Sequence, residues 1–152
     1  MPLTATSFQR FIWFFSRPKT FGISCIVMCR DEVLLVDYRY GHGWNFPTGL
    51  IRDDESPQDA ARRELSQEFA LKIQHPRYLG YVFCRFQRRR DKVYCFTAEV
   101  NEKTLLIRNK DVRNAQWFPI YALPVISPFS SEIVERWFKK TRRTAQTHPH
   151  TY

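Results

Sequence analysis

Two glutamates on one predicted helix are the residues whose types and spacing point most directly to chemistry. Glu64 and Glu68 are four positions apart, so on a helix they share a face, with Gln67 beside them. Two carboxylates on one face favour a hard cation, and Mg²⁺ binds carboxylate and carbonyl oxygens while keeping water for a phosphate-bearing substrate. Glutamates at this spacing are also common on solvated helix surfaces, so the wider pattern has to decide between the two interpretations.

The wider pattern is a stretch that starts at Gly49 and reads GLIRDDESPQDAARRELSQEFAL. It resembles the signature of the Nudix hydrolase family: Gly, five residues, Glu, seven residues, Arg-Glu, an aliphatic residue, any residue, Glu-Glu, any residue, Gly and an aliphatic residue. The matching positions are Gly49, Glu55, Arg63, Glu64, Leu65, Glu68 and Leu71. With the WNFP lead-in at 44–47, the resemblance covers about residues 20–140. It implies an α/β fold, an α/β/α sandwich with a mixed sheet and a loop-helix-loop box.

Two positions depart from the family pattern. Gln67 stands where the first Glu of the pair is expected, which removes a negative charge from the metal cluster, and charge count sets the affinity for hard cations. Ala70 stands where the helix-terminating Gly is expected, at a cost of about 1 kcal/mol if the residue must be left-handed. Gln67 is either the native residue or an engineered substitution in an otherwise active enzyme.

The resemblance implies roles for the matching residues. Glu64 and Glu68 would bind Mg²⁺, or Mn²⁺ in its place, with the carbonyl of Thr48 or Gly49 completing the ligands. Glu55 and Arg63 would form an ion pair that fixes the loop against the helix; they could also be an ordinary surface pair.

A further acid in this family often lies six residues before a strand tryptophan. Asp111 stands six before Trp117, so it is the candidate second metal ligand or catalytic base, beside Glu64 as the principal candidate base. The alternative for Asp111 is a plain turn residue, and Glu99 and Glu102 are the next candidates.

Aromatic and basic residues outside the box are candidates for substrate binding. Four aromatic residues could stack on a base: Trp44, Tyr38, Tyr40 and Phe83. Most aromatic residues in a domain, however, belong to its core. The candidate phosphate contacts are Arg39, Arg85 and Lys92.

Periodicity and turn residues predict the elements that must position these side chains. Ser56 and Pro57 are an N-cap and a first-turn proline, and Ala61, Leu65 and Phe69 recur every four residues. The predicted helices cover about 8–15, 56–70 and 130–140, and the predicted strands cover 21–29, 33–38, 77–86, 93–100 and 115–118. We expect a helical extension over 1–19, the Nudix domain over 20–140 and a mobile tail over 141–152.

Length and composition agree with one folded domain. The 152 residues are 43% hydrophobic and 26% charged, and no stretch is apolar enough for a membrane span. The four cysteines form no CxxC motif and fall in predicted strands; they are Cys25, Cys29, Cys84 and Cys95. We therefore expect buried free thiols and a reducing, cytoplasmic setting.

The net charge of +9 is concentrated in basic segments. The excess of arginine and lysine over acids falls in residues 1–20, 85–92 and 136–143, and the remainder of the chain is mildly acidic. Such segments could bind a polyanion, or they could simply keep the protein soluble.

The sequence therefore supports two classes of function. The first is a Mg²⁺-dependent pyrophosphohydrolase that cleaves a nucleoside diphosphate linked to another group, with a small nucleotide or nucleotide sugar favoured over the 5′ end of RNA. The second is a Nudix-fold module that binds nucleotide or RNA with little turnover, because Gln67 weakens the metal cluster. The oligomeric state stays open.

Overall fold

The computed structural model describes residues 21–39, 41–86 and 89–146. The strands of this part are β1 (Phe21–Cys29), β2 (Glu32–Tyr38), β3 (Thr48–Leu50), β4 (Arg77–Phe86), β5 (Arg89–Glu99) and β6 (Val112–Pro119). The helices are α1 (Pro57–Phe69), between β3 and β4, and α2 (Pro128–Gln146), after β6. None of the helices in this part is both long and apolar enough to cross a membrane.

The strands form one mixed sheet in the order β4-β5-β1-β2-β6, with β3 paired to the start of β1. The β1 and β5 strands are parallel, whereas the pairs β1–β2, β1–β3, β2–β6 and β4–β5 are antiparallel. On β1, Ile23 pairs with Gly49 of β3 on one side and with Tyr94 of β5 on the other. This register places the glycine that starts the box two strands away from β5.

The two faces of the sheet carry separate apolar cores because side chains alternate along each strand. Ile23 and Cys25 of β1 point to the core that contains Leu65 and Phe69 of α1. Ile26 points to the opposite core, which contains Ile133 of α2. A helix therefore covers each face, which is the expected α/β/α sandwich.

Local chemistry sets both ends of α1. The Ser56 side chain accepts a hydrogen bond from the backbone N–H of Asp59 at 3.1 Å, and Pro57 occupies the first turn. The helix ends after Phe69 because Ala70 is left-handed, with φ 55°, and its N–H donates to the carbonyl of Ser66. Alanine thus takes the conformation that glycine adopts most easily.

Most of the predicted elements agree with the structure. The central helix, the strands β1 and β2 and the bounds of β4 are confirmed. The strand β5 begins earlier, at Arg89, β6 covers Val112–Pro119, and α2 covers Pro128–Gln146. The strand β3 is not among the predicted strands, because it has only three residues and is defined by its pairing with β1. The prediction of a mobile tail over 141–152 is wrong for 141–146, which continue α2, and residues 147–152 lie outside the described residues. The predicted helix over 8–15 and the extension over 1–19 also lie outside them.

The cysteines are the free thiols that the sequence predicts. Cys25, Cys29 and Cys95 are buried, and Cys84 is partly buried. Burial raises the pKa of Cys95 to about 12, so this thiol stays protonated at neutral pH.

Candidate active site

Arg63 of α1 is the centre of a network of charged contacts. Its Nε donates to both carboxylate oxygens of Glu55, at 3.2 and 3.0 Å, and Nη2 donates to Glu55 Oε1 at 2.5 Å. Nη2 also donates to the carbonyl of Leu50 at 2.8 Å, and Nη1 donates to Glu64 Oε1 at 2.8 Å. The Arg63 hydrogen bonds hold the pKa of the Glu55 carboxyl below its ordinary value. The network fixes the box loop against α1.

Glu64 lies directly against Gly49. A Cβ atom at Gly49 would be 2.3 Å from Glu64 Cγ and 2.9 Å from Oε2, distances that no side chain could occupy. Glu64 is only 8% exposed, and its Oε1 is taken by Arg63. The glycine thus lets the carboxylate approach the backbone of β3, with Oε2 on that side.

Glu68 is held by the loop that precedes β6. Asn109 Nδ2 donates to Glu68 Oε1 at 2.8 Å. The backbone N–H groups of Leu106 and Arg108 donate to the carbonyls of Phe69 and Glu68 at 3.2 and 2.8 Å, so the same loop satisfies carbonyls at the end of α1. Asn109 is not among the residues predicted from the sequence, since nothing in its local pattern marks a partner 41 residues away.

Tyr38 has a different role from the predicted one. Its ring is 5% exposed, and its hydroxyl oxygen accepts a hydrogen bond from the Thr48 N–H at 3.1 Å. Burial, with the nearby charge of Glu68, raises the pKa of this hydroxyl. The prediction that Tyr38 stacks on a base is therefore wrong, because the ring belongs to the core and the hydroxyl supports Thr48.

The residues around Gly49 fit a hard cation. The candidate donors are all oxygens: the carboxylates of Glu64 and Glu68 and the carbonyls of Thr48 and Gly49. The missing Cβ at Gly49 leaves the cradle in which Glu64 lies. Across residues 21–39, 41–86 and 89–146, no three His, Cys, Asp or Glu side chains are grouped as a metal site. A bound cation would therefore depend on two carboxylates, carbonyls and water.

Gln67 and Asp111 are the remaining predicted catalytic residues. Gln67 is exposed, and its Oε1 accepts a hydrogen bond from Arg63 Nη1 at 3.4 Å. Asp111 is buried, its N–H donates to Asn109 Oδ1 at 2.9 Å, and its carbonyl accepts from the Arg39 N–H at 2.8 Å. Asp111 therefore belongs to the loop that holds Glu68, and its predicted role as a ligand or base stays a prediction.

The predicted substrate-binding residues are divided between the two faces. Arg39 is exposed, and its Nε donates to the carbonyl of Lys110 at 2.9 Å, next to the loop that holds Glu68. Trp44 packs edge-on against Phe118 in the core on the α2 side, with ring centroids 4.9 Å apart. Arg85 is on β4, but its side chain and the whole of Tyr40 lie outside the described part of the chain.

Comparison with known proteins adds an independent line of support. A family model for the NUDIX domain matches residues 18–137. The chain is 36% identical over 115 residues to diphosphoinositol polyphosphate phosphohydrolase 3-alpha of Mus musculus, which covers 70% of this chain and 68% of that protein. It is 31% identical over 100 residues to an RNA pyrophosphohydrolase of Xylella fastidiosa, covering 64% of this chain and 48% of that protein.

Solved structures share the fold at low sequence identity. A MutT NUDIX hydrolase from Burkholderia pseudomallei superimposes with a TM-score of 0.71 at 16% identity, covering 79% of this chain and 98% of that one. The NUDIX domain of Shewanella oneidensis NrtR, in complex with ADP ribose, gives a TM-score of 0.69 at 19% identity, covering 82% and 90%.

The sheet between two helices, the Arg63 network and the sequence match point to the same conclusion. The chain belongs to the Nudix hydrolase family, a family of enzymes that act on diphosphate bonds.

Proposed function

We propose that this protein is a Mg²⁺-dependent pyrophosphohydrolase that cleaves a phosphoanhydride bond in a nucleoside diphosphate linked to another group. The observation that carries the proposal is the pair Glu64 and Glu68 on α1: Glu64 lies against Gly49, and each carboxylate is held by a separate partner. Mn²⁺ could take the place of Mg²⁺ at the same oxygens.

Glu64 and Glu68 would hold the cation, together with the Thr48 or Gly49 carbonyl. When bound, the ion would neutralise charge on the diphosphate and lower the pKa of a water. The chain's own residues supply position: Arg63 fixes Glu64 from one side and Asn109 fixes Glu68 from the other. This holds both carboxylates in place before substrate arrives, which is the main protein contribution to phosphoryl transfer.

Glu64 is the proposed general base. Its Oε1 accepts the Arg63 hydrogen bond, so Oε2, on the Gly49 side, is the oxygen that would either bind the cation or take a proton from the attacking water, but not both at once. Asp111 is the second candidate, because its loop contacts Glu68 through Asn109.

One observation favours the binding module without turnover. The described residues offer two carboxylates and no third acid grouped with them, and Gln67 bonds weakly to Arg63 where a glutamate would add charge. A protein with this donor set could bind nucleotide and release it unchanged.

A substrate panel separates the two functions. Nucleoside triphosphates, nucleotide sugars, a diphosphoinositol polyphosphate and a 5′-triphosphorylated RNA are incubated with and without Mg²⁺, and released phosphate and nucleoside monophosphate are measured. We expect Mg²⁺-dependent product from at least one nucleotide substrate, with turnover lost in Glu64→Gln and kept in Glu135→Gln, an exposed acid of α2. Tight nucleotide binding without product would instead support the binding module.

A further inference from the structure

An exposed array of aromatic side chains lies on the β4–β5 half of the sheet. The array consists of Phe21, Tyr78, Tyr81, Phe83 and Tyr94. Among the described residues, nine large apolar side chains are strongly exposed, and four of them, Phe21, Tyr78, Tyr81 and Phe83, belong to this array. Their exposed fractions are 38–49%. Scattered exposed aromatics need no explanation, but a cluster of this kind marks a binding surface.

Ring contacts join the members of the array. Tyr94 lies 6.3 Å from Tyr78 and 6.4 Å from Phe21, measured between ring centroids. Tyr81 and Phe83 are in T-shaped contact at 5.4 Å. The rings are brought to one face by strand pairing, because Tyr81 of β4 lies opposite Tyr94 of β5.

A positive charge lies in the middle of the array. Lys92 Nζ lies 4.2 Å from the Tyr81 ring centroid and 4.9 Å from that of Tyr94. In the sequence, residues 85–92 include four arginines, one lysine and one aspartate, in a chain of net charge +9. Aromatic rings can stack on bases and cations can bind phosphates, so this combination suits a nucleic-acid strand.

The array begins close to the candidate active site. Ile23 pairs with Gly49 on one side and Tyr94 on the other, so two strand spacings separate Gly49 from Tyr94. At about 4.8 Å for each spacing, this distance is about 10 Å. A strand whose 5′ end lies at Glu64 could therefore place its following bases on the array.

We propose that the array, with Lys92, is a binding site for single-stranded nucleic acid. A mononucleotide has one base and could cover only part of five rings, whereas consecutive bases of a strand could use all of them. Binding itself does not depend on hydrolysis; the role of the array in presenting a 5′ end for cleavage rests on the proposed function. Within the proposed function, the array thus favours a strand with a 5′ phosphoanhydride over the small nucleotide expected from the sequence.

Fluorescence anisotropy with labelled ten-nucleotide RNA and DNA of the same sequence, each with a 5′-monophosphate, tests binding without turnover. We expect wild type to bind, Tyr81→Leu and Tyr78→Leu to bind about tenfold more weakly, and Tyr81→Phe to bind as wild type does, because a ring stacks and leucine does not. Tyr121→Leu is the matched control, since Tyr121 is 79% exposed and outside the array. If one of the two strands binds more tightly than the other, the result supports the site and shows whether its natural ligand is RNA or DNA.

Salt dependence measures the contribution of Lys92. The log–log salt slope should fall by about one in Lys92→Gln and stay unchanged in Lys92→Arg. Thermal melting checks that each variant is folded. Equal binding by wild type and Tyr81→Leu, or no binding of either strand by wild type, would overturn the proposal. A concentration-dependent dimer in sedimentation that Tyr81→Leu abolishes, without nucleic-acid binding, would overturn it too and assign the array to a second copy of the chain.

Discussion

The segment 48–70 and the β4–β5 edge of the sheet are built in opposite ways. In the first, Arg63, Glu55 and Glu64 share hydrogen bonds, and their side chains are only 10–14% exposed. At the edge, Tyr78 and Tyr81 contact other rings but are 47% and 41% exposed. The first region holds a fixed geometry, whereas the second leaves its surface open to a ligand. The same substitution should therefore have different effects in the two regions.

The largest difference is expected for arginine to methionine. Arg63→Met removes the partner of Glu55 and Glu64 in a mostly buried network. We therefore expect the free energy of unfolding to fall by about 3 kcal/mol and turnover to be lost. Arg77→Met, at the exposed start of β4, should change stability by no more than about 0.5 kcal/mol. Urea unfolding measures both variants.

The pH dependence of stability tests whether the Glu55–Arg63 ion pair is the cause of the stability lost in Arg63→Met. Because Arg63 depresses the folded-state pKa of Glu55, the pair stabilises the protein above the ordinary glutamate pKa of about 4.3. This stability is lost as the pH falls through the depressed pKa. The difference between wild type and Arg63→Met should thus shrink in acid, and a constant difference would contradict the ion-pair explanation.

Glycine to alanine is the second comparison. In Gly49→Ala the new Cβ would collide with Glu64, so we expect turnover to fall at least about 100-fold through displacement of the carboxylate. In Gly80→Ala the Cβ meets no atom within 4 Å, but φ is +136°, so stability should fall by about 1 kcal/mol with small-nucleotide turnover retained. Equal turnover in the two variants would show that the Gly49 contact is not required.

The third comparison adds a charge. Gln67→Glu supplies the carboxylate that the family pattern has, and we expect tighter Mg²⁺ binding and about tenfold faster turnover. Gln74→Glu adds the same charge to an exposed loop and should change neither quantity. No gain in Gln67→Glu would mean that position 67 is peripheral to the metal site.

The smallest expected effect is at the end of α1. Ala70 is left-handed, so Ala70→Gly should stabilise the protein by about 1 kcal/mol. Ala122 is exposed in a turn and is not among the described residues with positive φ, so Ala122→Gly should not stabilise. Equal melting temperatures for Ala70→Gly and wild type would indicate that the left-handed alanine costs little here.

The loop-helix segment was predictable because its information is local. The spacing of Gly49, Glu55 and Arg63, the cap at Ser56 and the four-residue recurrence of apolar residues all lie within one stretch of chain, and the helix begins and ends where they indicate. The free cysteines followed from the apolar character of the predicted strands.

The missed features depend on contacts between distant segments. Asn109 is identified only by its contact with Glu68, and β3 exists because it pairs with the start of β1. Tyr38 was placed in the substrate site because its type suits stacking, but strand alternation turns its ring into the α1-side core. The sequence predicts the strands that became β4 and β5 and names Phe83 and Lys92 as candidates, but it does not predict the register that brings Tyr81 opposite Tyr94.

Divalent cation binding tests the central claim, that Glu64 and Glu68 form the metal site, most directly. Mg²⁺ is titrated into wild type, Glu64→Gln, Glu68→Gln and the control Glu135→Gln, with heat as the signal and Mn²⁺ as a second ion. We expect both site variants to lose at least about tenfold in affinity, because each removes one of two anionic ligands, and the control to match wild type. Unchanged affinity in both site variants would contradict the assignment of the site.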